Sequence, residues 1–270
     1  LIAQFIKQDF YKIRHITDKC DNIEVRAVVS GINPGQVYVD HPTMPTAALI
    51  WIQGQAGFQV VGDPHSKSFL NDLEPYMRTY IEPNLIEQNI SCVEIGADET
   101  WTETLQVTFK NRNLSNDIQH VFKLNEDMET NEIHTDGVII RKLDEDVLKS
   151  RRFENQSYLE GKISRFWDSI DDFLQHGFGY IAEQNNTVVS SCFSAFVADH
   201  THAIDIETIE GYRKRNLGAL VARAFVEECK REGIHPYWDC TPENTGSIRL
   251  AKSVGMSLDF NYRIFWYNMN

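Results

Sequence analysis

Between Glu210 and Ala219 the chain sets three consecutive cations, Arg213, Lys214 and Arg215, among turn-forming residues (Gly211, Asn216, Gly218) and runs straight into an apolar-periodic stretch from Leu217. A basic turn that ends at a helix N-terminus offers free backbone N–H groups and the positive end of the helix dipole, an anion site suited to a pyrophosphate. Gly218 and Ala219 keep side chains short where phosphate oxygens must approach closely. Just upstream, Asp205 and Glu207 alternate with Ile204 and Ile206, so on a strand the two carboxylates share one face. Taken blandly, that face is solvated polar strand, or a partner for Arg213.

These residues need elements to hold them. From His202 the order is strand (His202–Ile209), basic turn, amphipathic helix (Leu217–Arg231, closed by Gly233), strand (Pro236–Cys240), helix (Asn244–Val254, ended by Gly255) and a final strand region (Leu258–Tyr267). Before it, Asp144–Leu148 starts a helix and Ile163–His176 reads as a second, with Phe166, Ile170, Phe173 and Leu174 on one face. Phe178–Glu183 and Thr187–Val197 read as paired strands around the turn Asn185-Asn186. The polar segment Asn125–Asp136 is the expected boundary, giving domains 1–134 and 135–270. In the first, Gln4–Ile16 is expected to be helix, Val25–Val29 and Gln36–Val39 strands, and Ala47–Ile52 with Gly57–Val61 a hairpin. Lys67–Gln88 is expected to be a long helical region broken at Pro75 and Pro83, with Cys92–Gly96 and Thr104–Phe109 as strands. No repeat and no catalytic signature is visible there, and a scaffold or acceptor-side role is the reading.

The stretch Tyr212-Arg213-Lys214-Arg215-Asn216-Leu217-Gly218-Ala219 resembles the R/Q-x-x-G-x-G/A loop of the GNAT superfamily of acetyltransferases. Asn216 stands where the first glycine is usual; asparagine tolerates left-handed backbone well. Trp238-Asp239-Cys240, followed by Asn244, Ser247, Leu250-Ala251 and Gly255-Met256, is similar to a second GNAT segment, N-x-x-[AS]-x-x-[LF]-x-x-x-x-G-[FM]. The likeness spans about residues 137–270. More narrowly it points to the bacterial subfamily that includes a zwittermicin A resistance acetyltransferase, with a looser likeness over residues 1–134. The resemblance implies an α+β (α/β-like) fold: a C-terminal GNAT domain with a mixed, mostly antiparallel sheet and flanking helices, preceded by an N-terminal α+β domain.

It also implies an acetyl-CoA-dependent N-acyltransferase acting on an amine, an antibiotic amine among the candidates. Coenzyme A would be held by Thr208, Ile209, Arg213, Lys214, Arg215, Asn216, Leu217, Gly218, Ala219, Asn244 and Ser247. A backbone N–H at Thr208 or Ile209 would polarise the thioester carbonyl. An alkylammonium with a pKa of about 10.4 needs a base at neutral pH, and Glu207 is the first choice, Asp205 the second. The tyrosine acid common in this superfamily would fall at Ala251, which cannot protonate sulfur; Tyr262, Tyr267, Tyr237, Ser194, Cys240 or water are the substitutes. His200, His202 and Trp238 read as packing or loop residues, and Asn244 as a helix N-cap. Asn216 and Ala251 leave a second reading open, a non-catalytic acyl-CoA-binding or sensing module. Acylation of protein termini or lysines is a third.

Composition narrows the setting. With 26 basic and 39 acidic residues the net charge is −13, and no basic stripe of the kind nucleic-acid binding needs is visible. The acidity suits cationic small partners or simply solubility. No apolar run reaches the roughly 20 residues of a membrane helix. Five scattered cysteines without C-x-x-C, and nine histidines without ligand spacing, argue against disulfide or metal scaffolds and suit a cytoplasmic setting. No basic stretch followed by an apolar run opens the chain, so secretion is not expected. A small-molecule amine is the expected partner, without nucleic acid or membrane, and homodimerisation is left open.

Overall fold

The computed structural model describes residues 1–125 and 137–269. Contacts gather them into two compact units, Leu1–Gln119 with Asn261–Asn270, and His120–Phe260. The segment expected as the boundary, and with it the 134/135 division, lies from residue 126 onward outside the described residues.

In chain order the strands are β1 (Ala3–Phe5), β2 (Gly35–Val39), β3 (Ala47–Ile52), β4 (Gly57–Gly62), β5 (Cys92–Ala97) and β6 (Ser115–Leu124). There follow β7 (Ile139–Lys142), β8 (Gly179–Gln184), β9 (Thr187–Ala198), β10 (Thr201–Thr208), β11 (His235–Cys240) and β12 (Met256–Asn268). The α-helices are α1 (Arg14–Thr17), α2 (Ile23–Val29), α3 (Lys67–Tyr76), α4 (Glu82–Glu87) and α5 (Thr102–Thr108). After them come α6 (Glu145–Lys149), α7 (Gln156–Phe166), α8 (Ile170–His176), α9 (Leu217–Glu232) and α10 (Thr245–Ser253).

In the second unit the strands run in the order β7-β8-β9-β10-β11, and residues 120–123 of β6 close the sheet against β11. All neighbours are antiparallel except β10 and β11, which are parallel. The strong helix expected from Leu217 is α9: Leu217, Val221, Phe225 and Cys229, one turn apart, lie on Phe178, Ala182, Val189 and Cys192. Phe178 and Phe225 stack with ring centres 4.4 Å apart. Gly233, at φ 68°, ends the helix in the left-handed conformation that a glycine accepts without strain. The turn Asn185-Asn186 has positive φ at both residues, as the hairpin requires.

One helix was expected over Ile163–His176; there are two. Trp167 is extended, and Ser169 accepts a hydrogen bond from Asp172 N–H at 3.0 Å, so a cap interrupts what reads as a continuous apolar face.

The first unit repeats the order with strands β1-β2-β3-β4-β5, again antiparallel except for β4 and β5, and Arg263–Asn268 of β12 closes it against β5. Its core holds Phe69, Trp101, Phe109 and Tyr267. Several expectations for this half are corrected. Gln4–Ile16 holds a short strand, a 3-10 turn and α1. Val25–Val29 belongs to helix α2, started by Asn22, whose side chain accepts from Val25 N–H at 3.2 Å. Thr104–Phe109 falls in α5 rather than a strand. The Lys67–Gln88 region is α3, a π turn and α4, with Pro75 inside α3 and Pro83 in the first turn of α4.

Candidate functional site

Strands β10 and β11 pair at three positions only, Thr201↔His235, His202↔Pro236 and Ala203↔Tyr237. An irregular step follows at Ala203/Ile204 on the β9 side, and β10 runs on to Thr208. Where the pairing stops, a cavity of about 850 Å³ opens, bordered by Ile206–Thr208, the basic turn, the start of α9 and one face of α10. The strand ending, the helix start and the second helix are thus brought to one place by the parallel β-α-β crossover.

The turn has the backbone an anion site requires. Lys214 and Asn216 both have positive φ, 63° and 59°, and Asn216 is the cap of α9. Leu220 N–H is the donor to Asn216 O, so the amides of Leu217, Gly218 and Ala219 belong to the free first turn. A Cβ on Gly218 would stand 3.3 Å from both Leu250 Cδ2 and Thr208 Oγ1, a tight contact that a larger residue would make only if these side chains shifted. Arg213 anchors the turn by donating from Nε to Thr208 O at 3.1 Å.

Of the residues singled out in the sequence, Glu207, Thr208, Arg213, Lys214, Asn216, Leu217, Gly218, Ala219, Asn244 and Ser247 all line this cavity. Three do not. Arg215 donates to Gln184 Oε1 at 3.1 Å and lies over the Tyr212 ring. Ile209 N–H is already engaged with Val189 O at 3.0 Å, which leaves Thr208 as the backbone donor of that pair. Asp205 is in an ion pair with Lys162 at 2.8 Å. Asn244 caps α10 by accepting from Ser247 N–H at 3.1 Å, and Ser247 Oγ accepts from the buried Trp238 Nε1 at 2.8 Å.

The carboxylates have partners that the sequence did not announce. Tyr158 and Lys162, one turn apart on α7, reach the polar face of β10, while Ile204 and Ile206 pack on the opposite side. Lys162 Nζ lies 2.8 Å from Asp205 Oδ2 and 3.0 Å from Glu207 Oε2, and Tyr158 donates to the same Oε2 at 3.1 Å. Partial burial pushes the Glu207 carboxyl up, but the hydrogen bond and charge of Lys162, helped by Tyr158 and Arg213, hold it below the usual range. Burial and the neighbouring Glu207 charge push the Tyr158 hydroxyl up, so it stays a protonated donor. The only available signal was the i, i+4 spacing of Tyr158 and Lys162, in a stretch not assigned to a helix.

The substitute acids fare differently. Ala251 is fully buried in the core. Tyr267 is buried in the first unit and donates to Glu82 at 2.9 Å, and Ser194 is wholly buried between Phe178 backbone and His202 Nδ1. Neither has access to a substrate. Burial pushes the Cys240 thiol up, with Ser247 opposing, and drives His202 down to about 4. His202 and Trp238 are packing residues, as expected.

Comparison with known proteins bears on this geometry. The sequence pattern of the GNAT acetyltransferase family matches residues 14–265. The chain belongs to that family. It is similar to an uncharacterised N-acetyltransferase, YdfB, of Bacillus subtilis strain 168, with 27% identity over 243 residues, 90% of this chain and 89% of the relative. Its fold is that of a GCN5-related N-acetyltransferase-like protein from Streptococcus suis 89/1591, with a TM-score of 0.68, 17% identity, and 98% and 100% of the two chains covered. A tandem GNAT protein from the clavulanic acid biosynthesis pathway, solved without AcCoA, matches with a TM-score of 0.63 at 9% identity over 98% and 97%. The GNAT fold with its mixed sheet and flanking helices is therefore the one expected. No helix among the described residues is long and apolar enough to cross a membrane.

Proposed function

We propose that this GNAT chain transfers an acetyl group from acetyl-CoA to the amine of a small molecule, amino-bearing antibiotics included, as in the zwittermicin A resistance subfamily. The observation that carries the reading is one cavity lined both by Arg213, Lys214 and the first residues of α9 and by Glu207 and Thr208 at the end of β10. The residues fit coenzyme A: Arg213, Lys214 and the amides of Leu217, Gly218 and Ala219 are donors for a pyrophosphate, and the Gly218 position leaves the backbone bare. Asn244 and Ser247 border the same space and would take the pantetheine arm.

Acetyl-CoA supplies the acyl thioester. Glu207, ionised at neutral pH, accepts the proton of the acceptor ammonium directly or through a water. The freed amine lone pair forms the new C–N bond while the C–S bond breaks, and Thr208 N–H is the candidate donor to the carbonyl oxygen. The leaving thiolate takes its proton from water in this reading; Ala251 offers none, and Ser194 and Tyr267 are buried. Net, ammonium and thioester become amide, thiol and one released proton. A cytoplasmic setting goes with this reading, supported by five cysteines without disulfides, and the first unit is assigned a scaffolding role.

Incubation with acetyl-CoA and a panel of small amines, following free thiol and product mass, tests it. Thiol release with an acetylated amine is expected, and failure to bind acetyl-CoA at millimolar concentration overturns it. The buried Ala251 favours a second reading, a sensor of acyl-CoA. Binding without turnover, unchanged in Glu207→Gln, would decide for the sensor.

A further inference from the structure

The acceptor side of the site holds an ammonium of the protein's own. Lys162 comes from α7, its side chain 16% exposed, and its two carboxylate partners stand on β10 with Asp205 17% and Glu207 38% exposed. A lysine buried to that degree is held by its partners, because an unpaired ammonium there would lose most of its hydration. The contacts are unequal in a way that matters. Glu207 Oε2 receives both Lys162 and Tyr158, so that oxygen is engaged twice and Oε1 by neither of them.

We propose that Lys162 is a positioning residue of the acyl-transfer site: it ties Glu207 to Asp205 through Oε2, keeps the Glu207 carboxylate charged, and leaves Glu207 Oε1 as the oxygen that meets the acceptor amine. The proposal rests on the acetyltransferase reading given above. Without Lys162, the neighbouring Asp205 on the same strand face and partial burial would push the Glu207 carboxyl up. Glu207 would then lose its charge, and its competence as a base, at a higher pH than in the wild-type protein. The groups that face Glu207 are few. Lys162 and Tyr158 come from α7, Ser190 and Ser191 from β9 without charge, Asp205 from its own strand, and Arg213 from the following turn. Arg213 lines the cavity and acts on Glu207 through its charge, whereas Lys162 is in ion-pair contact with both carboxylates.

The experiment is a carbon-13 titration of Glu207, assigned by its loss in Glu207→Gln, in the wild-type protein, Lys162→Met and Lys162→Arg, with pH profiles of kcat/KM alongside. In the wild-type protein the Glu207 carboxyl titrates below the ordinary value of about 4.3; a value at or above it overturns the proposal whatever the variants do. Lys162→Met moves that titration, and the acid limb of kcat/KM, up by about one pH unit, roughly a tenfold relative loss on the acid side. The alkaline side of the profile and KM for acetyl-CoA stay as they were, and Lys162→Arg restores the acid limb. A uniform loss across pH in Lys162→Met, or a titration that moves while the acid limb does not, means a structural lysine and ends the proposal. If the wild-type protein acetylates no amine, the functional reading fails on its own, and the titration still decides whether Lys162 holds Glu207 ionised.

Discussion

The two units of the molecule carry the same order of strands, with helices in the same gaps, each with one parallel pair among antiparallel neighbours, yet they treat the end of that pair differently. In the second unit eight residues, 209–216, lead from β10 to α9, with three cations among them and two non-glycine residues at positive φ. In the first unit only Asp63-Pro64-His65-Ser66 lead from β4 to α3. There the polar groups are spent on each other: Asp63 accepts from His65 N–H at 2.9 Å, and Ser66 donates to the buried Asp40 at 2.8 Å. The space beside the strands is filled as well, since a Cβ on Gly96 would stand 2.3 Å from the Gln59 amide. A carboxylate-lined turn repels phosphate where a basic one attracts it, so the fold supplies a place and the turn decides what it is used for.

That contrast can be broken at several points. Glu207→Gln is expected to lower acetyl transfer by about 10²–10⁴-fold with acetyl-CoA affinity unchanged, measured by initial rates and calorimetry. Its foil, Asp40→Asn in the first unit, leaves transfer unchanged and lowers unfolding free energy by about 1–3 kcal/mol, because Asp40 accepts from Thr46 N–H, Thr46 hydroxyl and Ser66. Replacing Arg213 and Lys214 together by serine weakens coenzyme A binding by about 100-fold, in keeping with about 1.5–3 kcal/mol for a hydrogen bond to a charged group. Asp63→Asn changes it not at all.

The units also differ in acid. His202, held neutral at about 4 by burial, binds its proton more readily unfolded, at about 6.5, so the stability it permits is full above that value. It is lost as pH falls through the window down to about 4, by about 3 kcal/mol, and His202→Gln flattens thermal unfolding midpoints over that range. Asp40, although burial pushes it up, is held below the usual range by its Thr46 and Ser66 hydrogen bonds. Its contribution persists above the unfolded value of about 3.9 and fades only below it. The smallest effect is expected at Asn216, where φ is 59°. Alanine there costs about 1 kcal/mol, and glycine less than that, read from the same melts.

What the sequence made legible was local. The turn Arg213–Ala219, the strand that precedes it and the helix that follows are contiguous, so residue type and period fixed them together. The acceptor side was not legible, because Lys162 and Tyr158 meet Glu207 across more than forty residues, and the helix carrying them begins with Gln156-Ser157 rather than an apolar stripe. Val25–Val29 misled for a different reason. It is a stretch with three valines in five residues that tertiary burial and the Asn22 cap turn into helix. The repeated architecture left no visible trace, since it lies in the order of elements and not in recurring residues.

The closing strands have a bearing on how the chain is made. When residues 1–119 have emerged from the ribosome, β5 has β4 on one side but still lacks its second neighbour, because Arg263–Asn268 is synthesised more than 160 residues later than Ala97. Until then a strand carrying Val93 and Ile95 presents an unpaired edge, the kind of surface on which nascent chains misassociate. The second unit has the opposite history: its closing strand, at His120–Lys123, is waiting before the rest of its sheet has been translated. The half made first is thus the half finished last.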